Sequence, residues 1–235
     1  MINEKQIVGN EIKLGKDDLH HVFNVMRKKM FDKFYCVNID NQQRYLCQIN
    51  CESKIEIVKI LDLNNELPFE FVLAFALVKS DKMEFVLQKA SELGVSKFIP
   101  LKTKYSVVKI DENKVTKKME RWLKIVKEAC EQAKRNNLME ISRPKTIEEL
   151  KEELCQVNLV AYEEEGKHNY QNKIKNHYHG QASIMVVVGA EGGFDNSEIE
   201  AFKSLDIKPI SLGKRILRCE TAAISVCCLI ADLME

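Results

Sequence analysis

The chain is 235 residues long, enough for one large domain or two unequal ones and for a sizeable buried core. With 36 Lys/Arg against 35 Asp/Glu (net +1), 45% hydrophobic and 30% charged residues, its composition is that of an ordinary folded protein, and the total charge suggests no polyanion partner. The first twenty residues are charged throughout, and the longest apolar stretches, 71–78 and 222–230, reach about half of the roughly 20 residues a membrane span needs, so neither a secretory leader nor a membrane helix is expected and the expected location is cytoplasmic.

The first 66 residues read mainly as strands, with acidic and basic residues balanced at ten each. A short helical pattern places Leu19, Val22, Phe23 and Met26 at i, i+3, i+4 and i+7 behind the capping candidates Asp17 and Asp18. Alternating Tyr35, Val37 and Ile39, the turn residues 40–43, and alternating Tyr45, Cys47 and Ile49 then predict a hairpin. A polar stretch ending at Pro68 marks the boundary of a small β-rich domain over 1–66.

From residue 69 onward strands and helices alternate. Phe69–Val78 is a near-continuous apolar run, as in a strand buried on both faces. Met83, Val86, Leu87, Ala90 and Leu93 predict a helix that Gly94 ends, and Val95–Leu101 the next strand. A long helix over 113–135 buries Val115, Met119, Trp122, Val126, Ala129 and Ala133. Thr146 and Glu149 form a capping-box signature for a short acidic helix, and 158–162 is a further strand. The second domain, 69–235, is therefore α/β with a largely parallel sheet. The charge total hides a segregation: 97–145 carries 14 Lys/Arg against 6 Asp/Glu, a local +8, and 146–165 carries 1 against 7. The basic segment is a candidate surface for an anionic partner, although a solvated helix face gives the same run of lysines.

Four of the nine glycines fall between 189 and 213. Ser183–Val188 predicts a buried strand, the turn Gly189-Ala-Glu-Gly-Gly-Phe follows, and Asp195 or Asn196 caps the next helix. A strand, a glycine-rich turn and a helix N-terminus together make a ligand-binding edge, or merely a tight βα connection. A second unit follows at once: a strand over 208–212, the loop Gly213-Lys-Arg-Ile-Leu-Arg-Cys-Glu220, and a helix over 221–233 that is apolar nearly all round and must be covered by the sheet and another element or by a second subunit. The glycine spacing is not G-x-G-x-x-G, no acid stands about 20 residues downstream, and Gly213-Lys214 leads to Arg215 in place of Ser or Thr, which disfavours a dinucleotide fold and a P-loop. No metal site is expected: none of the eight cysteines forms Cys-x-x-Cys, Cys47 and Cys51 have no partnering pair, and His177 and His179 stand apart.

The stretches VVGAEGGFDNSEIE and SLGKRILRCETAAI resemble the C-terminal signature of SPOUT methyltransferases, specifically the 16S ribosomal RNA uridine N3-methyltransferases of the RsmE type. Further matches are His21 to Arg27, Lys79-x-x-Lys-Met-Glu-Phe-x-Leu-Gln-Lys-Ala-x-Glu-Leu-Gly-Val95, Ile99-Pro-Leu101, and Arg121 through Arg135, so the resemblance covers almost the whole chain. Ala190 stands where that family usually has proline, Cys219 where it has threonine, and Phe31 where glycine is common.

The resemblance implies a PUA-like β-barrel RNA-binding domain followed by a SPOUT-type α/β domain with a C-terminal trefoil knot, a feature the usual rule against threading would not suggest. It further implies S-adenosyl-L-methionine bound in the knot, a homodimer, and 16S rRNA or the small ribosomal subunit as substrate. The cofactor would lie against Gly189, Glu191, Gly192, Gly193, Leu212, Gly213, Ile216, Leu217, Thr221 and Ala222. Uracil N3 attacks only once its proton leaves, and the charge then spreads to O2 and O4, where a cation stabilises it. Arg218 is the candidate for that cation, and Glu220 the candidate proton acceptor or the group that orients Arg218; a local ion pair and a favourable acid at a helix N-terminus are the plainer alternatives. Arg27, Lys28, Lys104, Lys109, Lys117, Arg121 and Arg135 are the candidate phosphate contacts. A noncatalytic RNA-binding protein that keeps the fold is the alternative to an enzyme.

Overall fold

A computed structural model describes residues 1–106, 108, 112–164 and 172–233. The chain forms two compact units, Met1–Glu66 together with Lys134–Leu138, and Leu67–Ala133 together with Met139–Glu235.

The first unit is a five-stranded antiparallel sheet in the order β1-β2-β5-β4-β3, built from β1 (Ile7–Val8), β2 (Glu11–Ile12), β3 (Lys33–Asn38), β4 (Gln43–Ile49) and β5 (Ile55–Leu61). The hairpin expected around residues 40–43 is β3–β4, closed by the pair Asn38↔Gln43. Both faces of β3 carry buried residues toward its end, Val37 among them. Phe34 and Cys36 join Tyr45, Cys47 and Ile49 in the core, whereas Tyr35 is 56% exposed and Ile39 lies in the turn. Cross-strand pairing puts Cys36 opposite Tyr45 and Phe34 opposite Cys47, and with a period of two a shift of one residue exchanges the faces of a strand.

The early helix is shorter than its apolar spacing suggests. It runs as α1 (Lys16–His20) from an N-cap at Gly15, and 21–25 continues as a wider π-type turn. Widening by a residue turns Met26 away from the face that buries Val22, so Met26 is exposed; Leu19, ahead of the wide turn, is exposed as well. Just beyond, Phe31 holds a left-handed φ of +68° while 64% exposed. A β-carbon in that region is unfavourable by roughly 1–2 kcal/mol. Phe31→Gly is therefore expected to raise stability by about 1 kcal/mol, part of the relief being offset by glycine's greater freedom in the unfolded chain; an unchanged denaturant midpoint would show that the ring has compensating contacts.

The polar centre of this unit lies at Lys134–Leu138. The Glu66 carboxylate accepts from Arg135 Nη2 at 2.6 Å and Nε at 3.1 Å, and from the backbone N–H groups of Asn136 at 2.8 Å and Asn137 at 3.0 Å. Buried Arg44 donates to the Lys134 carbonyl and to Asn136 Oδ1. Arg135 is only 2% exposed, which corrects its expected role as a phosphate contact: its charge is spent inside the protein on Glu66.

The second unit is a six-stranded sheet in the order β11-β9-β10-β6-β7-β8, parallel in every pair. Its strands are β6 (Glu70–Ala76), β7 (Lys97–Leu101), β8 (Glu140–Ile141), β9 (Val157–Ala161), β10 (Ser183–Val188) and β11 (Lys208–Ile210). After β6 the chain adds β7 and β8 on one side, then reverses and places β9, β10 and β11 on the other. Both central strands are buried along nearly their whole length, as their unbroken apolar runs require.

Helix α2 (Ser80–Glu92) ends at Gly94, whose φ of +87° is open to glycine. Helix α3 (Glu112–Gln132) buries Val115, Trp122, Val126 and Ala129. The acidic segment forms a 3-10 helix, Glu148–Glu153, with both bonds of the expected Thr146–Glu149 box present at 2.7 and 3.4 Å. Helix α4 (Asn196–Ser204) is capped by Asp195 in a reciprocal box with Glu198. Helix α5 (Cys219–Asp232) buries Cys219, Ala223, Val226, Cys227 and Ile230 and packs on α2 and β10, with Cys228 and Leu229 left exposed.

Candidate functional site

In open parallel sheets ligands bind outside the carboxyl ends of the strands, near the point where strand order reverses. The second unit has a cleft there. Its walls are the segments that follow β9 (Ala161, Tyr162, Glu163), β10 (Val188 to Glu191, and Gly193) and β11 (Leu212 to Leu217), closed by Cys219 and Ala222 at the start of α5.

The glycine turn after β10 is tight. A β-carbon on Gly189 would stand 3.1 Å from the Gly193 carbonyl oxygen and 3.1 Å from Phe194 Cε2, and Gly193 has φ +67° with the Glu163 carboxylate occupying its missing side-chain position. The Gly193 N–H closes the turn by donating to the Ala190 carbonyl at 3.0 Å, and alanine at 190 accommodates this bond as proline would. Backbone is thus exposed to the cleft on one side while Leu212, Ile216 and Leu217 supply apolar surface on another. An open main chain facing apolar side chains suits a flat heteroaromatic ring with hydrogen-bonding edges.

Of the ten residues expected against the cofactor, Gly189, Glu191, Gly193, Leu212, Gly213, Ile216, Leu217 and Ala222 line this cleft. Gly192 and Thr221 do not. Gly192 instead faces the Tyr105 side chain, 3.1 Å from where its β-carbon would be, and Thr221 is exposed one position along α5 from Ala222. The sequence reading missed Ala161, Tyr162 and Glu163. They come from the strand beside β10 in the sheet, and the signal for them was that any residue just after a parallel strand reaches the same edge.

Arg218 is the N-cap residue of α5, exposed, and its guanidinium makes no ion pair among the described residues. The pairing with Glu220 does not form. Glu220 Oε2 instead receives Lys82 Nζ from α2 at 3.3 Å and the Cys219 thiol at 3.1 Å, and Lys82 Nζ also holds Glu191 Oε1 at 2.9 Å. Burial pushes the Glu220 carboxyl up, but its own backbone N–H, the Cys219 thiol and Lys82 together hold it below the ordinary range. Lys82 holds Glu191 below that range as well. Burial, with the Glu220 carboxylate beside it, pushes the Cys219 thiol up to about 12. Cys219 is therefore a neutral donor here, as a threonine hydroxyl would be, and not a nucleophile.

The remaining cations are spread over both units. Arg27 and Lys28 follow α1 in the first unit, Arg27 exposed and Lys28 half-buried. In the second unit Lys104 is tied to Asp195 at 2.7 Å, Arg121 to Glu84 at 2.7 Å, and Lys117 is exposed on α3. Lys109 lies outside the described residues. No cluster of metal-ligating side chains occurs among the described residues.

A family model described as an RNA methyltransferase domain matches residues 65–231. The ribosomal RNA small subunit methyltransferase E of Bacillus subtilis (strain 168) is 35% identical over 215 residues, 88% of this chain and 84% of that protein. The protein of the same name from Mesomycoplasma hyopneumoniae (strain 232) is 34% identical, covering 95% of this chain and 94% of its own length. Among solved structures, ribosomal RNA small subunit methyltransferase E from Neisseria gonorrhoeae bound to S-adenosyl methionine superposes with a TM-score of 0.82 at 25% identity, over 92% of this chain and 90% of that one.

Proposed function

The chain belongs to the ribosomal RNA small subunit methyltransferase E family, and from that premise we propose that it methylates N3 of a uridine in 16S rRNA on the assembled small subunit. The activity is S-adenosyl-L-methionine-dependent rRNA methylation, and a noncatalytic role is not favoured. The observation that carries the site assignment is the cleft itself, with, on one wall, a turn so tight at Gly189 that a β-carbon would require its neighbours to shift and, on the other, Leu212, Ile216 and Leu217.

The residues fit the cofactor. Leu212, Ile216 and Leu217 would cover the adenine, the exposed main chain of the loops would bond its edges, and the turn Gly189–Gly193 would admit the rest of the molecule against backbone. When bound, S-adenosylmethionine supplies a methyl group on a sulfonium. The chain's own part is then to orient the uridine in line, exclude water, and stabilise the negative charge left on the uracil ring as the N3 proton departs. We assign that stabilisation to Arg218. Glu220, held by Lys82 and Cys219 in the first turn of α5, remains the candidate proton acceptor.

The same reading makes the antiparallel first unit a PUA-like RNA-binding domain and the region of β11 to α5 a trefoil knot. It also covers the exposed Cys228 and Leu229 of α5 with a second copy of the chain. Arg27 and Lys28 in the first unit, and Lys104, Lys117 and Arg121 in the second, then contact phosphate, with binding that weakens as salt rises. Phosphate oxygens would have to displace Asp195 and Glu84 from two of these cations.

Labelled S-adenosylmethionine incubated with the protein and small subunits lacking the modification is expected to transfer label to one uridine at N3. No label in the RNA would refute the enzyme reading, and label on another base would correct the substrate.

A further inference from the structure

Lys82 has so far entered only as the partner of Glu191 and Glu220, yet it is the residue through which two walls of the cleft meet. It projects from α2, the helix after β6, and its ammonium lies 2.9 Å from Glu191 in the glycine turn and 3.3 Å from Glu220 in the first turn of α5. The three side chains are partly buried, at 25%, 35% and 17% exposed. The groups facing Lys82 are Glu191, Glu220 and the neutral Cys219 thiol. We propose that Lys82 is a positioning residue for the cofactor: its single positive charge holds two carboxylates together and thereby fixes the glycine turn against the start of α5 at the spacing S-adenosylmethionine requires.

Charge arithmetic makes the arrangement fragile without the lysine. Both carboxylates approach one ammonium closely, so both are ionised near one another, and like charges at such separation in a half-buried site repel. With Lys82 present the cluster carries a net −1, and both carboxyls are held below their usual range. Without it the cluster carries −2, and the repulsion acts between the two walls that grip the ligand. Protonation then restores what the lysine supplied, because a carboxyl and a carboxylate can share a proton.

The sign of the pH dependence follows. In the wild type neither carboxyl titrates between pH 5.5 and 8, so this cluster adds no pH dependence to binding in that window. In Lys82→Met both pKa values rise, and acidification through the raised value relieves the repulsion. The ratio of variant to wild-type affinity therefore improves as pH falls.

The proposal rests on the assignment of the cleft to S-adenosylmethionine, and the test separates the two. Calorimetric titration with S-adenosylmethionine at pH 8 is expected to show affinity about tenfold weaker in Lys82→Met, with the deficit shrinking to about threefold or less at pH 5.5, and Lys82→Arg close to wild type. In the ligand-free proteins, carbon-13 NMR of glutamate carboxyls is expected to show Glu191 and Glu220 titrating at higher pH in Lys82→Met than in the wild type. A wild type that does not bind S-adenosylmethionine would sink the cofactor reading. A wild type that binds, with Lys82→Met unaffected or weakened equally at every pH, would overturn the positioning role alone.

Discussion

Arg218→Ala is expected to slow methyl transfer about 10²- to 10³-fold while leaving cofactor affinity within about threefold, the size of effect seen when one preorganised charge stabiliser is removed. The asymmetry follows from where Arg218 sits. Its neighbours Leu217 and Cys219 line the cleft, whereas Arg218, the N-cap of α5, is exposed and has no ion-pair partner among the described residues. A cation held in reserve beside the ligand site is matched to charge that exists only during reaction. Lys82, by contrast, is already committed to two carboxylates. Single-turnover rates and equilibrium binding measured on the same variant decide the matter. Equal losses in both would move Arg218 into cofactor binding, and no loss in either would remove it from the site. Arg218→Lys keeps the charge but not the fork and should recover only part of the rate.

The largest effect on stability is expected at Glu66. Glu66→Ala should destabilise the protein by about 3–5 kcal/mol, because removing one partner of a buried ion pair leaves the other charge uncompensated. Here the loss is compounded: the carboxylate serves Arg135, whose side chain is 3% exposed, and also the backbone N–H groups of Asn136 and Asn137. Glu66→Gln keeps the shape and one acceptor oxygen and should recover only part of the loss. Denaturant unfolding is the measurement. A change below about 1 kcal/mol would mean that Arg135 is satisfied by its other contacts.

That pair also shows what sequence alone conveys. Arg135 reads as one more cation in a basic run, because composition records charge and not burial, and its partner lies 69 positions earlier. Local patterns fared better: the uninterrupted apolar runs of β6 and β10, the Asp195 cap and the Gly94 stop are each decided within a few residues, and each formed as expected. Which face of β3 turns inward depends on its pairing with β4 and is not decided locally, and α1 stopped early because a π-type turn is invisible to a 3.6-residue template. At the site the glycine turn was legible for the same local reason. Glu163 and Lys82 were not, since one reaches the cleft through strand order and the other across a helix contact.

The membership of Lys134–Leu138 in the first unit has a consequence for synthesis. Domains of a nascent chain ordinarily fold in turn from the N-terminus. Here Arg44 and Glu66 lack their partners until Asn136 has left the ribosome, by which time β6, α2, β7 and α3 have already been made. The N-terminal sheet therefore waits, incompletely satisfied, while the first segment of the following unit, Leu67–Ala133, emerges. A fragment cut at residue 66 would hold that waiting state permanently.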